Sequence, residues 1–424
     1  MAADPFRISD PALRPVAAKV REGVPLSFAD GQKLAHSRDI HGIGRLANAV
    51  RERLHGRRTY YNRNRHINYT NVCALSCKFC SFYRKRGEAG AYEMSVEQVV
   101  DVAEKAWEGG ATEVHIVGGL HPWKKFDYYL DFLNGIRDRC PGLHVKGFTA
   151  IEIVHFSRIA RMPVEDVLTQ LKGAGLGSLP GGGAEIFDDR VHDEAFKGKV
   201  REDKWFAVHR AAHDLGLFSN ATMLYGHIEG EDERVNHLVK LRDHQAESLK
   251  RMGLDPEVPP TPEQTKTAIE RDGKSCFNCV IPLSFIPEHS ELGHLPGPTG
   301  LTDLKTLAIS RLICNNIAHI KSFWIMQGTG LSQLSLDYGV NDLDGTVVWY
   351  DITKRQGGGG TTKQELHVDT LERLIRDSGH EPVERDTLYR PIVRDAGNRP
   401  ADGGRVEAAV AVPDAAPAHA GAVS

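Results

Sequence analysis

His66-Ile-Asn-Tyr-Thr-Asn-Val-Cys73-Ala-Leu-Ser-Cys77-Lys-Phe-Cys80 is the stretch of sequence that decides the fold and the chemistry expected of this chain. Its first half is apolar and β-branched, which predicts a strand, and three cysteines follow within eight residues. Thiolates are soft ligands that suit iron–sulfur clusters or zinc. On a four-iron cluster, three protein ligands leave one iron open, and an open metal position indicates a site that binds something reactive.

Zinc and disulfides are the alternatives to a cluster. A structural zinc site usually takes four ligands from paired Cys-x2-Cys or Cys/His units, whereas the first gap here is three residues. A disulfide framework is not expected, because seven cysteines are an odd number and are spread through 424 residues. We therefore expect a metal centre on Cys73, Cys77 and Cys80.

A second Cys-x2-Cys, formed by Cys276 and Cys279, invites a further metal or redox interpretation. Only Cys140 and Cys314 remain to complete such a centre, and neither has cluster-like neighbours. Two reduced thiols are the expected state of this pair.

The composition excludes several classes of partner. A hydrophobic content of 41% and a charged content of 26% are typical of a globular protein. The net charge of −3 gives no general attraction to nucleic acid or to anionic membranes. The N-terminus lacks the pattern of a signal peptide, and no apolar run of about 18 residues indicates a membrane span. We expect a cytoplasmic protein with no nucleic-acid or membrane partner.

Short β-rich runs alternate with amphipathic helical patterns between residues 61 and 393. Eight strands are predicted, at 66–73, 113–119, 144–152, 178–185, 219–226, 279–285, 319–326 and 345–352. Eight strand–helix units fit a (β/α)8 barrel, although the same alternation could form a doubly wound sheet. Several chemically suggestive residues fall at the carboxyl ends of these strands, where such barrels build active sites.

Three segments lie outside the eight strand–helix units. Residues 1–60 are expected to form an N-terminal helical extension, with helix starts at Ser27 and Asp39. Residues 246–275 carry four prolines among many charges and are interpreted as a surface insertion. Residues 394–424 are rich in Ala, Gly and Pro, which predicts a disordered tail.

Two glycine segments follow predicted strands. Gly118-Gly119 ends the second strand, and Gly226-His-Ile-Glu-Gly230 ends the fifth. Glycine lets the backbone approach a ligand closely, but each segment could equally be a tight turn. Asn220 and Thr222 share one face of the fifth strand, because strand side chains alternate with period two.

Together, the cysteine loop and the glycine segments resemble the radical S-adenosylmethionine (SAM) superfamily. The resemblance implies an α/β fold, a TIM-type (β/α)8 barrel, with a [4Fe-4S] cluster whose open iron chelates the amino and carboxylate groups of SAM. The implied cluster ligands are Cys73, Cys77 and Cys80, and the implied SAM contacts are Phe79, Gly118, Gly119, Gly226 and Ile228. Asn220 and Thr222 are further candidates for cofactor binding, as hydrogen-bonding partners of the SAM ribose, or they could satisfy backbone groups inside the barrel.

Further runs resemble the aminodeoxyfutalosine synthase family, also called aminofutalosine synthases, of the futalosine route to menaquinone. These runs are Asn68-Tyr-Thr-Asn-Val-Cys73, His115-Ile-Val-Gly-Gly-Leu-His121-Pro, Phe148-Thr-Ala-Ile-Glu152-Ile, Leu179-Pro-Gly-Gly-Gly-Ala-Glu185-Ile-Phe, Asn220-Ala-Thr-Met-Leu-Tyr-Gly-His-Ile-Glu229, Asp342-Leu-Asp-Gly-Thr-Val-Val348 and Glu384-Arg-Asp-Thr-Leu-Tyr389. The dehypoxanthine futalosine cyclases and the deazaflavin (FO) synthases share the cysteines and much of the glycine pattern, and they remain alternatives.

The resemblance implies a transferase reaction on a chorismate-derived small molecule. The 5′-deoxyadenosyl radical of SAM would add to 3-[(1-carboxyvinyl)oxy]benzoate, with rearrangement and decarboxylation to 6-amino-6-deoxyfutalosine. An electron donor such as flavodoxin or ferredoxin would reduce the cluster. Glu185 and His227 are expected to line the substrate chamber as catalytic residues, and Arg84, His121 and Arg311 are candidates to bind the substrate carboxylates. A non-catalytic zinc-binding barrel is the alternative from a different functional class.

Overall fold

The computed structural model of the chain describes residues 6–347 and 365–395. Its strands, numbered in chain order, are β1 (Arg58–Asn62), β2 (Asn64–Ile67), β3 (Glu113–Ile116), β4 (His144–Gly147), β5 (Leu176–Leu179), β6 (Phe218–Tyr225), β7 (Phe277–Ser284), β8 (His319–Ile320), β9 (Asp342–Gly345) and β10 (Glu381–Glu384).

Helices make up most of the rest of the described chain. They are α1 (Arg14–Glu22), α2 (Phe28–His36), α3 (Ile40–His55), α4 (Val96–Glu108), α5 (Phe126–Arg139), α6 (Ala150–Ala160), α7 (Val164–Ala174), α8 (Asp189–Ala195), α9 (Glu202–Asp214), α10 (Glu231–Arg251), α11 (Pro262–Asp272), α12 (Gly300–Ile313), α13 (Trp324–Gln327), α14 (Thr329–Ser335) and α15 (Val368–Asp377).

Seven parallel strands form the central sheet in the order β2-β3-β4-β5-β6-β7-β8. A separate three-stranded sheet, β10-β1-β9, lies beside it. Backbone hydrogen bonds join the two, because a parallel bridge links Lys321, just after β8, to Asp342 at the start of β9. On the other side, the amide of His66 in β2 donates to the carbonyl of Val347, at 2.9 Å. The strands therefore curl into the predicted TIM-type barrel.

The first seven predicted strands are present, and most of them end earlier than predicted. Residues 68–73, 148–152 and 180–185 leave the sheet to build loops or helix starts at the carboxyl ends of β2, β4 and β5. Residues 321–326 likewise lead into α13. Of the eighth predicted strand, 345–352, residues 348–352 lie outside the described residues, and Gly345 belongs to β9.

The N-terminal segment is helical, as predicted. Ser27 caps α2 with a capping box completed by Asp30, and Asp39 caps α3 by accepting a hydrogen bond from the Gly42 amide at 2.9 Å. These helices lie against the outside of the barrel, where α2 contacts α10 and α3 contacts α12.

Residues 246–275 contain the end of α10 and all of α11. A small apolar cluster of Leu249, Met252, Ala268 and Cys276 holds this segment together. Whether the segment is an insertion stays a prediction.

Charged side chains are buried together near the starts of β3 and β9, and we call this network the floor of the barrel. Arg385 donates two hydrogen bonds to Asp342, at 3.0 and 2.8 Å, and the hydroxyl of Thr387 donates to Glu113, at 2.9 Å. Lys146 pairs with the same Glu113 carboxylate, at 2.8 Å. Pairing offsets the cost of burying these charges, so the C-terminal segment is held to the barrel strands.

No helix within residues 6–347 and 365–395 is long and apolar enough to cross a membrane.

We predict that Arg385→Met lowers the free energy of unfolding by about 3–5 kcal/mol, because it leaves the Asp342 carboxylate buried without its partner. Urea unfolding followed by circular dichroism measures the change. Arg376→Met is the matched control, since Arg376 forms an exposed ion pair with Glu372 on α15 and its loss should change stability by less than about 1 kcal/mol. Equal effects of the two substitutions would contradict the anchoring role of the floor.

Candidate active site

A cavity of about 240 Å³ opens at the carboxyl ends of the barrel strands. All three clustered cysteines line it, together with the glycine pair that follows β3. Most of the remaining lining is apolar or aromatic: Leu75, Phe79, Phe82, Tyr83, Val117, Leu120, Ile151, Leu224, Leu283, Phe285, Ile286 and Met326. The cavity is therefore an apolar chamber with the cysteine loop in its wall.

The cysteine loop is held by backbone hydrogen bonds on both sides. The amide of Cys73 donates to the carbonyl of Arg84, at 3.1 Å, and the amide of Arg84 donates to the carbonyl of Asn71, at 2.8 Å. On the opposite side, the amide of Ala74 donates to the carbonyl of Leu120, at 2.9 Å. These bonds fix the loop against β3 and against its own return segment.

The sulfurs of Cys73 and Cys77 lie in different surroundings, since the first is hydrogen-bonded and the second is buried. The sulfur of Cys73 accepts hydrogen bonds from the amides of Leu75 and Leu120, both at 3.4 Å. Burial raises the pKa of the Cys77 thiol to about 12, although the nearby Lys199 ammonium opposes the shift. A bound metal supplies the positive charge that a thiolate here requires.

The placement of the three thiols fits a cluster. Cys73, Cys77 and Cys80 line the same cavity. The three thiolates that hold a four-iron cluster each bind a different iron, so a cluster would need all three side chains at one chamber.

The glycine pair packs directly on the cysteine loop. A Cβ on Gly118 would lie 2.7 Å from the ring of Tyr69. A Cβ on Gly119 would collide with the carbonyl of Val72 and lie 3.1 Å from the Cβ of Cys73. Both positions therefore require glycine for this packing, while their backbone still lines the cavity.

Glu152 joins the cysteine loop, the glycine pair and α6. Its carboxylate accepts hydrogen bonds from the Tyr69 hydroxyl, at 2.7 Å, and the Gly118 amide, at 3.0 Å. Thr149, the N-cap of α6, donates to it from both amide and hydroxyl, each at 2.7 Å. Burial raises the pKa of the Glu152 carboxyl, although these hydrogen bonds act in the opposite direction. The signals for Glu152 in the sequence are its place in the run Phe148-Thr-Ala-Ile-Glu152-Ile and the capping-box spacing of Thr149 and Glu152.

Glu185 lines the cavity and forms a buried ion pair with Lys199. Burial alone would lower the pKa of Lys199, but the charges of Glu185 and Cys77 raise it. The Lys199 ammonium also lies 5.0 Å from the centre of the Phe79 ring. Among the described residues that line this cavity, Lys199 is the single cation. No local pattern points to Lys199, because it follows the short helix α8 and comes beside Glu185 only in the fold.

The implied SAM contacts are only partly gathered at the cavity. Thr222 lines it, and its hydroxyl donates to the carbonyl of Gly181, at 2.9 Å. Asn220, Gly226 and Ile228 are not among the lining residues, and Ile228 packs against the hydrophobic core.

The structure does not bring His227 to the cavity. Its Nε2 lies 3.1 Å from the carbonyl oxygen of Leu224, and its Nδ1 lies 3.3 Å from the Glu229 carboxylate. That carboxylate also accepts hydrogen bonds from the amides of Gly226 and His227. His227 is thus a buried part of the turn after β6, which corrects the expectation that it lines the chamber.

The three predicted carboxylate ligands also lie elsewhere. The guanidinium of Arg84 donates to the carbonyls of Ser81 and Tyr83, and the Nε2 of His121 lies 3.3 Å from Glu93. Arg311 is fully buried, and its guanidinium donates to the carbonyls of Gly339 and Ala318 and to the side chain of Asn341. Arg311 therefore connects α12 to the loops around β8 and β9, which corrects its assignment to the substrate.

The second cysteine pair is divided between two apolar clusters. No disulfide joins any of the seven cysteines, all of which lie within the described residues. Cys276 belongs to the apolar cluster beneath α11, whereas Cys279 packs in a different cluster with Tyr60 and Tyr389. That both thiols are reduced stays a prediction.

Comparisons with known proteins agree with this site. The radical SAM superfamily model matches residues 67–241, and the model of the CofH/MqnC C-terminal region matches residues 275–396. Aminodeoxyfutalosine synthase of Thermus thermophilus is 42% identical over 91% of this chain and 97% of its own length. The synthase of Streptomyces coelicolor is 41% identical over 92% of this chain and 96% of its own length.

Other relatives and structures extend the comparison. A 5-amino-6-(D-ribitylamino)uracil–L-tyrosine 4-hydroxyphenyl transferase of Methanopyrus kandleri is 34% identical over 89% of this chain and 95% of its own length. The crystal structure of methylornithine synthase (PylB) superposes with a TM-score of 0.63 at 17% identity, covering 86% of this chain and 96% of that chain. The latter likeness supports the barrel fold alone.

The family uses a [4Fe-4S] cluster together with SAM, which accords with three thiols and a glycine pair around one chamber. The chain belongs to the aminodeoxyfutalosine synthase family of radical SAM enzymes.

Proposed function

We propose that this enzyme adds the 5′-deoxyadenosyl radical of SAM to the vinyl carbon of 3-[(1-carboxyvinyl)oxy]benzoate, and that rearrangement and decarboxylation give 6-amino-6-deoxyfutalosine. The cluster supplies the electron that cleaves SAM, after reduction by a carrier such as flavodoxin or ferredoxin. The observation that carries the proposal is the pairing of two full-length synthase relatives with an apolar chamber beside the cysteine loop.

The chamber suits a substrate with an aromatic ring. Its walls are built from aromatic and aliphatic side chains, among them Phe79, Phe82 and Phe285. Such walls exclude water from the reaction. Phe79, Gly118, Gly119 and Thr222 are the predicted SAM contacts that line it.

Lys199 is the proposed partner for a carboxylate in the chamber. An ammonium binds a carboxylate through charge-assisted hydrogen bonds, and both SAM and the proposed substrate carry carboxylates. Glu185 holds the ammonium at the wall. Lys199 thus replaces Arg84, His121 and Arg311 as the proposed carboxylate contact. Glu185 remains a proposed chamber residue, whereas His227 does not line the cavity.

A second candidate is a different carbon–carbon bond-forming reaction of the same superfamily. The 34% identity to a 4-hydroxyphenyl transferase, and the match to the CofH/MqnC C-terminal region, support this alternative. Its substrates would be L-tyrosine and a ribitylaminouracil for a transferase of that kind, or dehypoxanthine futalosine for a cyclase.

The product distinguishes these candidates. We expect the reconstituted enzyme, with SAM, a reductant and 3-[(1-carboxyvinyl)oxy]benzoate, to form a product with the mass of aminodeoxyfutalosine, in which the adenosyl carbons are retained. Mass spectrometry with SAM isotopically labelled in its ribose detects that transfer. Release of free 5′-deoxyadenosine with no labelled adduct, or turnover only with L-tyrosine and the uracil, would reject the synthase proposal.

Lys199→Met should lower kcat/KM about 10- to 100-fold, since a hydrogen bond to a charged group contributes about 1.5–3 kcal/mol. Because the single substitution leaves Glu185 buried and unpaired, the double variant Lys199→Met with Glu185→Gln is measured beside it. Lys197→Met, an exposed lysine two residues away, is the control and should keep wild-type activity.

The assay follows product formation and uncoupled SAM cleavage separately. Loss of both reactions places the Lys199 contact on SAM, and loss of product alone places it on the substrate. Wild-type values of both rates in the double variant would show that Lys199 binds neither.

A further inference from the structure

The geometry assigns to Lys85 a role as a positioning residue of the cluster: its ammonium clamps the peptide run between Cys73 and Cys77 and raises the reduction potential of the cluster. The inference depends on the cluster and not on the proposed substrate.

The clamp consists of three contacts from one ammonium. The Nζ of Lys85 lies 3.1 Å from the carbonyl oxygen of Cys73, 3.4 Å from that of Ala74 and 2.8 Å from that of Leu75. An ammonium has three donors and no acceptor, so three converging carbonyls match its hydrogen-bonding capacity. Lys85 therefore holds the first half of the cysteine loop in a single conformation.

The return segment of the loop places Lys85 at this position. Val72 and Arg84 form a parallel bridge, and the Arg84 carbonyl accepts the amide hydrogen of Cys73. A turn follows at once, in which the Lys85 amide donates to the Glu88 carboxylate, at 2.7 Å. The backbone of Lys85 is thus fixed beside Cys73 by the Val72–Arg84 bridge on one side and by the Glu88 carboxylate on the other.

The clamp also controls a hydrogen bond to a cluster ligand. Leu75 accepts from Lys85 through its carbonyl and donates its amide hydrogen to the sulfur of Cys73, at 3.4 Å. Hydrogen bonds to the sulfurs set the potential of an iron–sulfur cluster, because they stabilise its more negative, reduced form. A half-buried ammonium beside the first cysteine ligand acts in the same direction.

We expect Lys85→Met to lower the ratio of reduced to oxidised cluster at least tenfold at a fixed solution potential, equivalent to about 59 mV for one electron. The measurement is a redox titration of the reconstituted protein followed by electron paramagnetic resonance, without substrate or SAM, so failure of the proposed reaction cannot affect it. Lys85→Arg, which keeps the charge and the donors, should restore most of the ratio.

Lys78→Met is the matched control. Lys78 lies in the same loop between Cys77 and Cys80, but its side chain is exposed, and solvent screens its charge. Its loss should change the ratio less than threefold. An equal change in the Lys78 and Lys85 variants, or an unchanged ratio in Lys85→Met, would overturn the assignment.

Iron content and circular dichroism accompany the titration. A Lys85→Met protein that is folded but binds less iron, with iron restored by Lys85→Arg and normal in Lys78→Met, supports the clamp. A Lys85→Met protein whose barrel is unfolded would contradict a role confined to the loop.

Discussion

The packing of the Gly118–Gly119 backbone against the cysteine loop is the contact on which the rest of the site depends. Side chains at these positions would collide with Tyr69 or with Val72, so the strand end and the loop can approach only as glycine against backbone. Glu152 then joins the two through Tyr69 and the Gly118 amide. These contacts hold the three cysteines at the wall of one chamber, and fixed geometry of this kind is what positions reacting groups.

Polar groups in this barrel are divided between two levels. At the floor, buried pairs such as Arg385 with Asp342 hold the C-terminal segment to the strands, and their charges satisfy one another. At the mouth, the acidic and basic side chains among the described residues that line the chamber are Glu152 and the Glu185–Lys199 pair. A ligand carboxylate entering the chamber therefore meets one cation, already oriented by a neighbouring carboxylate.

The parts of the fold and site that could be predicted from the sequence are the ones with local causes. Strand cores follow from β-branched runs, and the helix starts at Ser27 and Asp39 follow from side-chain capping. The three cysteines share one cavity because they fall within eight residues of sequence. The strand ends were predicted too long, because residues such as 180–185 leave the sheet to form the chamber wall, and their composition does not reveal where the backbone turns.

Long-range contacts account for what was missed. Glu152 reaches Tyr69 across 83 residues of sequence, and Lys199 comes beside Glu185 only after α8 folds back. A cationic residue such as Arg311 can bind carboxylates, yet in the fold its guanidinium donates to two backbone carbonyls and to the Asn341 side chain around β8 and β9. The residue type limits which groups a side chain can hydrogen-bond or pair with, but only the fold determines which of those groups lies beside it.

Anaerobic reconstitution followed by electron paramagnetic resonance of the reduced protein, with and without SAM, tests the central claim most directly. The claim is that the loop of Cys73, Cys77 and Cys80 holds a cluster with an open iron. It predicts about four iron per chain, a spectrum that changes when SAM binds, and loss of both on Cys77→Ala. Tightly held zinc with no spectral response to SAM would contradict it.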